Sequence, residues 1–206
     1  ACAAAYRIPP LFVDTATDDD LVFLREQLQR RSPIEPIAVG EIGLDRFVAN
    51  PDVVKQERLF VEQLRIARAA GLPVLLHVRR AIDEVLRNLR QVRVCGGIAH
   101  AFSGSRQQAD EFIKLGFKLG FGGAMTHPRA TRIRALAAAL PLTSLVLETD
   151  APDMAPAWLA GGRNTPDQLP AINTTLADLR QIEAAELAGQ TTANALAVLP
   201  ELRLPD

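Results

Sequence analysis

Short apolar runs recur along the chain, separated by stretches in which apolar residues repeat every three or four positions. The short runs predict strands and the longer spaced stretches predict helices. Residues 3–8 read as a strand, stopped by Pro9-Pro10. Asp18, Asp19 and Asp20 then open a helix with Leu21, Leu24 and Leu28 on one face, since acidic groups favour a helix N-terminus. Residues 37–40 form the next strand and end on Glu41. Asn50-Pro51-Asp52 predicts a helix start, with a capping side chain, proline at the first helical position and an acid in the first turn. Phe60, Leu64 and Ala67 supply that helix's inward stripe, and Gly71 stops it.

The alternation continues to the end of the chain. Residues 74–76 are continuously apolar, as in a strand covered on both faces. A helix carrying Ile82, Val85, Leu86 and Leu89 leads to a strand at 98–100. Ser105 caps a helix running to Leu115. A strand at 118–122, a helix at 129–140 and a strand at 145–147 follow, and helices at about 167–179 and 184–199 close the order. Strands alternating with helices predict βαβ units and a parallel sheet. A barrel of this class has eight strands in about 250 residues. About six are visible here, so the expected fold is a (β/α) TIM-type barrel lacking its N-terminal units, with residues 1–206 as one domain.

Composition narrows this picture. The 206 residues are 48% hydrophobic, enough to bury a core. A net charge of −1 provides no long-range field for nucleic acid, so any such chemistry needs local arginines or a metal ion. Cys2 and Cys95 form no disulfide framework, which points to a reduced, cytoplasmic setting. No apolar run predicts a membrane span, and no signal peptide is visible.

The strand ends carry the candidate chemistry. Glu41, His77, His100 and Asp150 each close an apolar run, and in a parallel barrel such ends surround one cavity. Imidazole and carboxylate donors suit divalent Zn, Mn or Mg ions, which polarise phosphoryl or carbonyl oxygens. No His-x-His precedes them, although a site of this kind is expected to draw further nitrogen ligands from an earlier strand.

Val39-Gly-Glu-Ile-Gly-Leu-Asp45, Leu76-His-Val-Arg79, His100-Ala-Phe-Ser-Gly104 and Leu147-Glu-Thr-Asp-Ala-Pro152 resemble the motifs of TatD-type metal-dependent hydrolases of the amidohydrolase superfamily. Arg163-Asn-Thr-Pro166 and Thr191-Thr-Ala-Asn194 resemble that family's C-terminal pattern. The resemblance implies a two-metal phosphodiesterase, often a DNase of exonuclease character, with DNA as its partner. It makes Glu41 the bridging carboxylate and His77 and His100 the second metal's ligands. Asp150 becomes the first metal's ligand and the catalytic proton acceptor. The family's opening His-x-His has no counterpart here, and Arg7-Ile8-Pro9-Pro10 stands where relatives read Gly-Ile-His-Pro. One metal or none is therefore expected in this chain. The alternative reading is a truncated or degenerate, non-catalytic relative.

Other residues are weighed on their own chemistry. Arg79 suits a substrate phosphate, because guanidinium matches phosphate geometry, or else a surface ion pair. Ser103 suits an anion contact through backbone N–H groups near a helix start, or else shapes its loop. Glu148 is expected to orient a ligand or an arginine. Cys95 fits a small apolar contact or the turn before Gly96-Gly97. His127 is expected in a surface turn, and Arg129, Arg132 and Arg134 on a solvated face.

Overall fold

Six strands pair in chain order, each parallel to the next: β1 (Ala4–Tyr6), β2 (Pro36–Asp45), β3 (Val74–Arg79), β4 (Gly97–Ala99), β5 (Phe117–Phe121) and β6 (Leu145–Leu147). The computed structural model describes residues 3–30, 35–47 and 52–203. Helices α1 (Asp18–Gln29), α2 (Val53–Ala70), α3 (Ile82–Gln91), α4 (Arg106–Lys114) and α5 (Thr131–Ala139) connect the strands. Helices α6 (Leu169–Arg180) and α7 (Ala184–Val198) follow β6. This is the expected TIM-barrel-like order. Among the described residues β1 and β6 each pair on one side only, so the barrel is not closed.

Local sequence explains where the helices begin and end. Thr17 and Asp20 form a capping box at α1, with all three aspartates in its first turn. Ser105 and Gln108 do the same for α4. Helix α2 differs from expectation. Its cap is Asp52, whose side chain accepts the Lys55 N–H, so Asp52 precedes the first turn instead of lying within it. Asn50 and Pro51 lie outside the described residues. Gly71 ends α2 at φ 68°, a left-handed conformation that glycine adopts without a Cβ clash.

The two faces of the sheet are covered differently. Val74 and Leu76 of β3 are fully buried in the main core, which also contains Leu64 and Ala67 of α2 and Val85 and Leu89 of α3. Leu75 lies on the opposite face and is only partly buried, so the two faces of β3 are covered unequally. Leu75 and Ile98 pack there against a small second cluster of Ala38, Val198 and Leu199. The end of α7 thus closes the floor of the concave face. Side chains two residues further along β3 and β4 stand above that floor.

Three strands depart from the expected limits by two residues or more, and β3 runs past 74–76 to Arg79. β2 does not end at Glu41 but runs to Asp45, and the β2–β3 register shifts between Gly40 and Ile42. Glu41 is the unpaired residue of that bulge, a device that re-aims a side chain. β1 stops at Tyr6, two residues before the expected end at residue 8. The buried Gln63 amide takes over: the Ile8 N–H donates to Gln63 Oε1 at 2.6 Å, and Gln63 Nε2 donates to the Ile8 carbonyl at 3.0 Å. Gln63→Met keeps the volume and leaves both Ile8 groups unpaired. It is expected to lower stability by about 1–3 kcal/mol, read as a lower urea midpoint at constant slope.

Candidate metal centre

At the C-terminal ends of β2, β3 and β4, one donor atom each from Glu41, His77 and His100 lies within 4.8 Å of the others. The three residues arrive by different routes. His77 follows Leu75 on the concave face of β3, and His100 follows Ile98 one residue past β4. Glu41 is delivered by the β2 bulge. The His77 and His100 ring centroids are 5.6 Å apart.

His100 stands between two carboxylates. Its Nε2 is 3.6 Å from Glu41 Oε2, and its Nδ1 is 3.7 Å from Asp150 Oδ1. Both separations exceed a hydrogen bond. Burial raises the Asp150 carboxyl above its ordinary range; His100 opposes the shift, while Glu41 and Asp153 add to it. Asp150 itself has φ 55°, and Ala101 beside His100 has φ 47°. Such left-handed backbone at non-glycine residues stores strain and recurs at functional sites.

Asp45 is the site residue that reasoning from strand ends passes over. It is fully buried, and its Oδ2 lies 2.9 Å from His77 Nε2. That contact occupies one ring nitrogen and leaves Nδ1 available. Its Oδ1 accepts the Phe47 N–H at 2.8 Å. A buried charge at the end of an apolar run needs a partner, and that was the available signal. Gln56 Oε1 accepts from the Asp45 N–H and Arg46 Nη1, and Glu84 pairs with Arg46 Nη2 at 2.6 Å.

Glu148 does orient the site, through the backbone and not through an arginine. It accepts the Ala101 N–H at 2.6 Å, next to His100. Burial pushes its carboxyl up from 4.5 to about 8, opposed by the Ala101 hydrogen bond and reinforced by Asp150 and Glu41. Gly120 makes this possible, because a Cβ there would lie 2.1 Å from Glu148 Oε2. Asn164, buried in the Arg163–Pro166 motif, donates to the Thr149 and Asp153 carbonyls at 2.6 Å each, bracing the Asp150 turn. In the last motif, Asn194 donates to the Leu142 and Leu145 carbonyls, joining α7 to β6.

The remaining candidates are placed as follows. Arg79 is exposed, with its guanidinium carbon 3.7 Å from the Phe47 ring centre. The Ser103 carbonyl accepts from Arg132 at 2.6 Å, a loop-shaping contact. A solvated face is therefore not the whole account of the α5 arginines: Arg132 holds Ser103, and Arg134 donates to the Met125 carbonyl. His127 is exposed, with Nε2 3.1 Å from the Ala155 carbonyl oxygen. Cys95 is exposed in the turn before Gly96, and partial burial raises its thiol.

A parallel barrel sheet with histidine and carboxylate donors at its strand ends defines a metal-dependent hydrolase of the TIM-barrel class. The family described as TatD related DNase matches residues 2–200, and the chain belongs to it. The uncharacterized metal-dependent hydrolase YjjV of Escherichia coli K12 is 43% identical over 186 residues, covering 90% of this chain and 71% of the relative. The crystal structure of that TatD homologue superposes with a TM-score of 0.91 at 40% identity, covering 98% of this chain and 77% of the other. The 3'-5' ssDNA/RNA exonuclease TatD of Klebsiella pneumoniae is 38% identical over 167 residues, 77% of this chain and 63% of that protein. An Entamoeba histolytica TatD family hydrolase shares the fold at a TM-score of 0.79 and 16% identity, over 96% of this chain and 74% of that one.

The Glu148 carboxyl generates a pH prediction. Its folded value, about 8, lies above the unfolded 4.5, so the folded chain holds this proton more tightly. The resulting stability is full below pH 4.5 and is lost as pH rises towards 8. Metal-free protein is expected to lose at most about 1.4 kcal/mol per pH unit across that window. Glu148→Gln should flatten the profile in urea titrations with EDTA present.

Proposed function

We propose that the chain is a divalent-metal-dependent phosphodiesterase acting on nucleic acid, a TatD-like deoxyribonuclease. The Glu41, His77 and His100 cluster carries this reading. Donor atoms about 2.1 Å from a shared tetrahedral ion lie about 3.4 Å apart. The 3.6 Å between His100 Nε2 and Glu41 Oε2 is close to that spacing. The donor set therefore fits a borderline ion such as Zn or Mn, and Mg less well. The Asp45 contact supports it by orienting His77 as a carboxylate commonly orients a metal-binding imidazole.

When bound, a divalent ion supplies Lewis acidity to the phosphoryl oxygen and makes water acidic enough to react near neutral pH. Glu41, His77 and His100 would hold it, and Asp150 would serve as an additional ligand from beside His100. Asp150 takes the proton of the attacking water from its place beside His100, where its Oδ1 lies 3.7 Å from His100 Nδ1. Arg79 meets the phosphate from the end of β3, and the Ser103 loop flanks it. The exonuclease activity named for the Klebsiella relative supports DNA, with RNA as a second candidate. Among the described residues no helix is long and apolar enough to cross a membrane.

A second reading is a relative that keeps the fold but does not turn over. The size of the clustered donor set favours it, since three residues make up that cluster among the described residues. Metal binding and turnover separate the two readings. Mn or Zn ions are expected to raise the melting temperature in proportion to log concentration, and His100→Ala to abolish the shift. Asp150→Asn should lower kcat on single-stranded DNA at least a hundredfold while KM changes only a few-fold. Metal binding without turnover by the unsubstituted protein would favour the second reading.

A further inference from the structure

Beyond the metal cluster, β3 ends in a second arrangement, of which the hydrolytic reading uses Arg79 alone and leaves Arg80 and Phe47 unassigned. Phe47 follows Asp45 and Arg46 at the end of β2 and remains 49% exposed. Its backbone is fixed by the same carboxylate that orients His77. Two guanidinium groups are gathered on its ring: the Arg79 carbon at 3.7 Å and the Arg80 carbon at 4.6 Å from the ring centre. Arg80 adopts φ 55°, a strained conformation for a bulky residue. Among the described residues, neither arginine belongs to an ion pair.

The chemistry of this stack points to a ligand. A cation–π contact uses the face of a guanidinium and leaves its in-plane N–H donors free. Two positive groups on one exposed ring repel each other until an anion lies between or beside them. Phosphate is the anion whose oxygens match those donors bidentately. Arg79 lies two residues beyond His77, about 7 Å along an extended strand, so the stack begins at the edge of the metal cluster. A net charge of −1 means that nothing else draws a polyanion from a distance.

We propose that Arg80, gathered with Arg79 on the Phe47 ring, binds the phosphate next to the one being cleaved, so that the site engages two successive phosphates of a single strand. Phe47 is a positioning residue: it holds both guanidinium groups without consuming their donors. This rests on the nucleic-acid reading above and deepens it, because it selects a strand over a small phosphodiester.

The test is equilibrium binding by fluorescence anisotropy in EDTA, where no cleavage occurs. The probes are labelled tetrathymidylate and labelled thymidine dinucleotide, which has a single phosphodiester. Arg80→Ala is expected to weaken tetrathymidylate binding at least five-fold. It should also reduce the slope of log affinity against log salt by about 0.7, one phosphate contact on a single strand. Dinucleotide binding should change much less. Phe47→Ala should act in the same direction, and Phe47→Tyr should restore both affinity and slope. Equal losses on both probes, no loss on either, or no tetrathymidylate binding by the unsubstituted protein would each overturn the proposal. Hydrolysis is scored separately. A protein that binds in this pattern but does not cleave removes the hydrolytic reading and leaves the two-phosphate contact standing. Cleavage with an affinity indifferent to both substitutions does the reverse.

Discussion

The buried Asp45 carboxylate is the constraint on which the functional face depends. A charge with no solvent access is tolerated only when its oxygens are occupied. One oxygen meets His77 and the other meets the Phe47 N–H, so a single group orients a metal donor and the chain leaving β2. Gln56 serves this arrangement from α2, accepting from the Asp45 and Arg46 donors while its own amide donates to the Pro10 carbonyl. The site is thus anchored to the helix layer and to the segment after β1. A disturbance of α2 would reach His77 through this chain of contacts, without any change to a donor residue.

Strain is distributed around the same rim. Arg80 after β3, Ala101 after β4 and Asp150 after β6 all have left-handed backbone without being glycine. Each adjoins or supplies a group facing the cavity, and each turn is held by polar contacts. The Ala101 N–H donates to Glu148, and the Asn164 amide braces the carbonyls on either side of Asp150. A sharp turn immediately after a strand lets the donor point inward while the chain departs to its helix. Protein interiors that hold such turns leave little freedom for the side chains they present.

Much of this was legible in the amino-acid order. Short apolar runs and helical spacing predict the strand–helix alternation, and the residues closing the apolar runs include Glu41, His77, His100 and Asp150. Helix limits were readable where a cap is a single local event, as at Ser105 and Gly71. What escaped depends on contacts between distant segments. The bulge at Glu41 is a relation between β2 and β3 and has no sign in β2 alone. The prolines mark where β1 can extend no further, but its end at Tyr6 and the pairing of Ile8 with Gln63, 55 positions away, have no local sign. Asp45 was visible within a motif, yet its task emerges only when β3 brings His77 beside it. Nothing in the sequence around Phe47 signals that Arg79 and Arg80, from the end of β3, gather on its ring.

The empty side of Gly120 has a consequence for how this protein can vary. The space that a methyl group would take on β5 is filled by the carboxyl group of Glu148, the residue after β6, which in turn holds the peptide after His100. Positions 120 and 148 are therefore sterically linked. A larger residue at the first is compatible only with a shorter one at the second, and that exchange would release the His100 turn. Position 148 can therefore change on its own, whereas position 120 can grow only after 148 has shortened.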